Sequence, residues 1–153
     1  MSGERQYCTF FVDGLYFGIP VERVQEIIRF QRMTPVPLAP KVVAGLINLR
    51  GQIVTALDIR HRLDLREAPE GAERTNVVTI TEDGQAVSLL VDEIGDVVEV
   101  GESSSEPPPP TLRGAARMLI KEVHKMEERL LLVLDPEMTI DVGEVDMKTV
   151  SVA

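Results

Sequence analysis

His61 and His124 are the two imidazoles of a 153-residue chain, and neither has an Asp, Ser or Cys at a motif spacing. His61 lies between Arg60 and Arg62, whose charges disfavour a protonated ring, and reads as an exposed surface residue. Cys8 alternates with apolar neighbours on a predicted strand, so it reads as a small core hydrophobe rather than a nucleophile. Asp92, Glu93, Asp96 and Glu99 form an acidic group, but they lack the glycine turn and ligand spacing of a calcium loop. They read as a solvated face. Gly45–Gly51 lacks the Gly-Lys-Ser/Thr ending of a phosphate loop, and no dinucleotide fingerprint occurs. No catalytic residue, metal-ligand set or cofactor site is therefore expected, and the chain reads as a binder. Arg50-Gly51 places a cation at a tight turn between two apolar strands, ordinarily a solvated turn and otherwise part of a binding surface.

Composition narrows the partner. The 44% apolar and 27% charged residues describe an ordinary globular domain, long enough to bury a core without a staple. A lone cysteine leaves no internal disulfide. Charge is uneven: residues 1–75 carry 10 basic and 9 acidic side chains, whereas residues 76–153 carry 6 and 16. A pI near 4.7 argues against nucleic acid, whose phosphates need a basic face. The longest apolar run near the C-terminus, Leu130–Leu134, is far short of a membrane span, and the N-terminus lacks a signal-peptide pattern. A cytoplasmic location without membrane insertion is expected.

Twenty valines and several turn signals predict a mainly β fold. Asp13-Gly14 separates Tyr7–Val12 from Leu15–Ile19, and Glu82-Asp83-Gly84 separates Val77–Thr81 from Ala86–Val91. Both read as hairpins, because such turns need residues that tolerate positive φ. The two lie 70 residues apart, and at the same offset Val21–Ile28 falls over Val91–Val98, apolar on apolar and acid on acid. In that stretch Val21 and Ile27 are expected to pack in the core. Leu57-Asp58-Ile59 matches Leu134-Asp135-Pro136 at an offset of 77, each Asp suited to cap a short helix. An internal duplication is predicted. Each copy reads as a hairpin, a further strand, a proline-rich crossing, and a second hairpin ending in a one-turn helix. Those second hairpins are Gly45–Leu49 with Gln52–Leu57, and Leu119–Met126 with Arg129–Leu134. Two small barrels sharing one core follow, over about residues 7–75 and 76–141. Residues 101–110 read as an exposed proline-rich loop, and residues 142–153 as a tail.

The stretch Val43–Arg60 contains Gly-x-x-Asn-Leu-Arg-Gly, then an apolar strand and Asp-hydrophobic-Arg. With Phe17–Ile27 and Leu90–Val97, it resembles the CheW-type chemotaxis coupling proteins from about Tyr7 to Met138. The resemblance implies a single CheW-like domain of two intertwined five-stranded SH3-like barrels with short helices. It implies an adaptor rather than an enzyme, one that joins chemoreceptor tips to a CheA-type histidine kinase in membrane-associated arrays. Family members take the receptor's helical hairpin in the groove between barrels and meet the kinase regulatory domain at one end of the first barrel. Carried over by motif, Val24, Glu26, Arg50 and Val97 are receptor-side residues, and Arg29 and Gly45 are kinase-side residues. Glu26 and Arg50 are expected to pair. Two other readings remain open: an adaptor of a pilus-motility or similar chemosensory pathway, and a double-barrel ligand-binding regulator or enzyme.

Overall fold

The computed structural model describes residues 4–29 and 31–141. The chain forms β1 (Glu4–Val12), β2 (Leu15–Pro20), β3 (Val24–Ile28), β4 (Val43–Leu49), β5 (Gln52–Asp58) and α1 (Ile59–Arg62). It continues with β6 (Thr75–Ile80), β7 (Ala86–Val91), β8 (Glu93–Gly101) and β9 (Ser105–Glu106). The last elements are α2 (Gly114–Leu119), β10 (Ile120–Lys125), β11 (Leu130–Leu134) and α3 (Pro136–Ile140). The fold is mainly β. One sheet runs β8-β1-β2-β11-β10-β9 and the other β3-β6-β7-β5-β4.

These ladders group the strands differently from a division at residue 75. The β1–β2 hairpin pairs with β8 and β11, while β6–β7 pairs with β3 and β5. Each copy thus lends its first hairpin to the other copy's sheet, and this exchange is what intertwines the two SH3-like units. The duplication is visible in the register itself. Thr55 pairs in parallel with Val87, and Leu132 with Phe17, which reproduces the offsets of 77 and 70 in one contact. A bulge between Val43 and Gly45 recurs between Ile120 and Glu122. After the bulges, Thr34 bridges Leu46 in one copy, and Glu106 pairs with Val123 in the other. The sheets curl without closing as hydrogen-bonded barrels.

Local chemistry explains the elements. Asp13 and Gly14 take φ of 51° and 77°, the left-handed geometry a two-residue hairpin demands. Asp58 accepts the Arg60 N–H at the start of α1, and Asp135 accepts those of Glu137 and Met138 beneath Pro136. Both predicted caps are present. Phe10, Phe17, Ile19, Val77, Leu89, Leu119 and Leu134 are buried in one cluster that draws on both sheets, so the copies share a core.

Three expectations need correction. Leu119 ends α2, a helix the sequence reading omitted, and the strand begins at Ile120. The proline-rich loop is more than a linker: residues 102–104 form a 3-10 turn, and β9 pairs with β10. Neither Val21 nor Ile27 is buried in the core: Val21 is half-buried in a 3-10 turn, and Ile27 is 42% exposed on the edge strand β3.

Candidate protein-docking site

The tip of β4–β5 is built by its own sequence. Arg50 and Gly51 take φ of 51° and 87°, and the Asn48 carboxamide oxygen accepts the Gly51 N–H at 2.9 Å. The asparagine therefore locks the turn, and Gly51 supplies left-handed backbone at little cost. Arg50 adopts that backbone too, so glycine alone does not carry the turn. Its guanidinium is 70% exposed and makes a two-pronged contact with Glu26, Nη1 donating to Oε2 at 3.3 Å and Nη2 to Oε1. The Arg50 hydrogen bond holds the Glu26 carboxyl below its ordinary range. Ile53, on the strand leaving the tip, is 60% exposed. A fixed cation, a carboxylate and an apolar side chain thus share one end of the molecule.

Edge strands β3 and β8 flank a groove of about 710 Å³, lined by Ile27, Arg29, Arg74, Asp92, Ile94 and Asp96. Its floor is an ion-pair network. Arg60 binds Asp92 through Nε (3.0 Å) and Nη2 (2.6 Å), and Arg74 binds Asp58 at 2.6 Å. Asp13 joins through Arg66 at 2.8 Å and donates its backbone N–H to Asp92 at 2.8 Å. Burial pushes Asp92 upward, but Arg60, the Asp13 N–H and Arg74 outweigh it and hold the carboxyl below its ordinary range. Asp92 is therefore not part of a solvated acidic face. Asp58-Ile59-Arg60 has a plain logic: its acid caps α1 and holds Arg74, while its arginine reaches into the other copy.

The proposed receptor-side residues separate into distinct environments. Glu26 and Arg50 meet as expected, and Val97 is 55% exposed on β8. Val24 is half-buried against the shared core, which leaves it little surface to offer. Arg29 lines the groove, whereas Gly45 is buried under the proline-rich crossing, where a Cβ would stand 2.9 Å from the Thr34 carbonyl oxygen. The two kinase-side candidates thus lie on different features.

His61 differs from its sequence reading, and His124 holds a place that the sequence did not indicate. His61 is half-buried between Asp58 and Glu67. His124 is buried, with Nδ1 at 2.8 Å from the Ser104 hydroxyl and Nε2 at 3.3 Å from Glu122. Glu122 also accepts from Tyr7 (2.7 Å) and Ser105 (2.9 Å). Burial, then the Glu122 hydrogen bond, pushes the Tyr7 hydroxyl up to about 12. This cluster fastens the 3-10 turn and β9 to the six-stranded sheet of β8, β1, β2, β11 and β10. Its partners come from separate strands and a loop, so no local spacing could reveal it. Among the described residues no metal-ligating cluster forms, and no helix is long and apolar enough to cross a membrane.

Comparison with known proteins places this geometry in context. The family model described as a CheW-like domain matches residues 6–144. Over 140 residues the chain is 34% identical to the chemotaxis protein CheW of Bacillus subtilis, covering 92% of this chain and 88% of that one. It is 32% identical to protein FrzA of Myxococcus xanthus over 78 residues, about half of each chain (51% and 49%). The crystal structure of the scaffolding protein TtCheW from Thermoanaerobacter tengcongensis superposes with a TM-score of 0.81. That match covers 94% of this chain and 95% of the other at 23% identity, and it identifies the fold.

Proposed function

The chain belongs to the CheW-like domain family, and from that premise we propose that it is a non-enzymatic adaptor that couples chemoreceptors to a CheA-type histidine kinase. The observation that carries this reading is the β4–β5 tip. A non-glycine residue held at φ 51°, locked by Asn48 and oriented by Glu26, presents an exposed guanidinium that no core contact requires. Charges fixed at a rim set the register of a partner, while nearby apolar side chains supply contact area. Ile27 and Ile94 along the groove, with Val97 exposed further along β8, suit a helical hairpin that inserts apolar side chains, with Arg29 and Asp96 among the groove's polar lining. In this reading Val24 supports β3 from below, and Gly45 shapes the kinase-facing end by admitting the crossing. Membrane association follows through receptors, and modest contacts gain strength by repetition in an array.

Arg50→Glu tests the proposal. The circular dichroism spectrum should stay native, because the side chain is outside the core. Receptor-dependent kinase activation in a reconstituted assay should fall at least about tenfold. Adding Glu26→Arg should recover part of that loss if the charges act as a pair. Full activation by the single variant would remove the tip from the docking site.

A second reading draws on the similarity to FrzA: the same adaptor role within a different chemosensory pathway. Binding measured against the kinase regulatory domains of each system in the native cell separates the two.

A further inference from the structure

The Ser104 hydroxyl has one hydrogen and two neighbours that can take it. Its oxygen stands 2.8 Å from the Gly101 carbonyl oxygen and 2.8 Å from Nδ1 of His124. A hydroxyl donates once, so it serves one of them at a time. The imidazole decides which. Its Nε2 lies 3.3 Å from Glu122, a carboxylate that already accepts from Tyr7 and Ser105 and has nothing to donate. Nε2 therefore carries a hydrogen in either charge state of the ring, and Nδ1 is the nitrogen that gains or loses one. On the neutral ring Nδ1 offers a lone pair, and Ser104 donates to it and leaves Gly101. On the imidazolium Nδ1 is itself a donor, so Ser104 accepts from it and turns its hydrogen to the Gly101 carbonyl.

We propose that this is a proton-operated latch on the second crossing: protonation of His124 moves the Ser104 hydrogen onto the Gly101 carbonyl and tightens the 3-10 turn from which β9 starts. Gly101 precedes that turn and Ser104 ends it, so the bond between them closes it. The ring is buried and the hydroxyl exposed, which leaves Ser104 free to turn and to pass a proton between solvent and Nδ1. Charged groups meet the ring from several elements. Glu122 on β10 and Glu102 on the turn bring negative charge, and Arg5 on β1, 3.0 Å from Glu102 and 3.8 Å from Glu122, brings positive charge. Tyr7 on β1 has its ring centroid 5.9 Å from the imidazole and donates its hydroxyl to Glu122. From β9 comes the Ser105 hydroxyl, while Glu106 pairs with Lys125 at 3.7 Å. β11, opposite β10, is wholly apolar, and β8 borders the same cavity with Val100 and Gly101. The latch belongs to the second copy alone, because 77 residues earlier Gly45 stands in place of Glu122 and the buried Ile47 in place of His124. It depends on neither the groove nor the β4–β5 tip.

Solution NMR on the full chain tests the latch. In a titration across about pH 5 to 8, where imidazoles change charge, the Gly101 carbonyl carbon should move with the same midpoint as the His124 ring nitrogens. The Ser105 N–H donates to the Glu102 carbonyl across the turn. Relative to its intrinsic rate, that amide should exchange with solvent at least about threefold more slowly once the ring is protonated. Ser104→Ala changes an exposed side chain and should keep the native circular dichroism spectrum. In that variant the ring should still titrate, while the carbonyl and exchange responses disappear. A ring that holds one charge state throughout, a Gly101 carbonyl that does not follow it, or responses that survive in Ser104→Ala would each overturn the latch.

Discussion

The crossings that follow β3 and β8 solve one problem in two ways. At the first, Gly45 opposes the chain at Thr34, and the backbones approach so closely that a methyl group has no room. At the matching position 77 residues later, Glu122 reaches toward the incoming β9 and gathers Tyr7, Ser105 and His124 on one carboxylate. The hairpin tips diverge likewise. Arg50 projects from the first, whereas the second carries Glu127 and Glu128, with Arg129 folded back over the rings of Tyr16 (4.7 Å) and Phe11 (5.2 Å). Strand order and bulges were kept after duplication, and the chemistry at crossings and tips was not. The first tip thus presents a cation held by Glu26, while the second folds its arginine back over two rings and presents two carboxylates.

The capping aspartates offer the strongest way to break that symmetry. Asp58 and Asp135 do the same local job, but Asp58 also neutralises Arg74, whose guanidinium is mostly buried. Asp58→Ala removes a cap and strands a charge, so a loss of about 3 kcal/mol is expected in denaturant melts. Gly45→Ala comes next, at about 2 kcal/mol, because the new methyl must push the Thr34 backbone aside. Asp135→Ala removes only a cap and should cost about 1 kcal/mol. If Asp58→Ala and Asp135→Ala cost the same, the network beneath the groove contributes nothing that the second copy lacks.

What could be read from the sequence divides along the same line. Hairpins, caps and the duplication were legible because turn residues, capping aspartates and apolar periods act over a few positions. The exchange of hairpins was not, since β1 meets β8 across some ninety residues and nothing local marks that pairing. Helix α2 escaped notice because it is six residues long, follows four prolines and has no side-chain cap. At the candidate docking site, a resemblance to relatives supplied the Glu26–Arg50 pair, while spacing alone showed only a cation at a turn. Ile27 was misassigned to the core because an apolar residue on an edge strand looks the same from sequence whether its face is covered or open. Asp92 was placed with the solvated acids because its partner Arg60 lies on another element.

The smallest expected effect at neutral pH, and the one most specific to the second copy, belongs to Glu122. Burial pushes its carboxyl up, but hydrogen bonds from Tyr7, Ser105 and His124 outweigh that and hold it below the ordinary value. A carboxyl depressed on folding stabilises the native state fully above its unfolded pKa, roughly 4.3, and loses that contribution as pH falls through the folded value. Glu122→Gln keeps the shape of the side chain and removes the titration. Its deficit relative to the parent should therefore shrink progressively as pH falls below about 4. Asp92 is depressed as well, but it titrates in both proteins and cancels in the difference. The corresponding position of the first copy is Gly45, which has no proton to lose, so this acid limb comes from the second copy's way of holding its crossing. Urea midpoints of the two proteins across that range measure it. A deficit that stays the same down to pH 3 would mean that the carboxylate's charge does not fasten β9, and that its shape alone does.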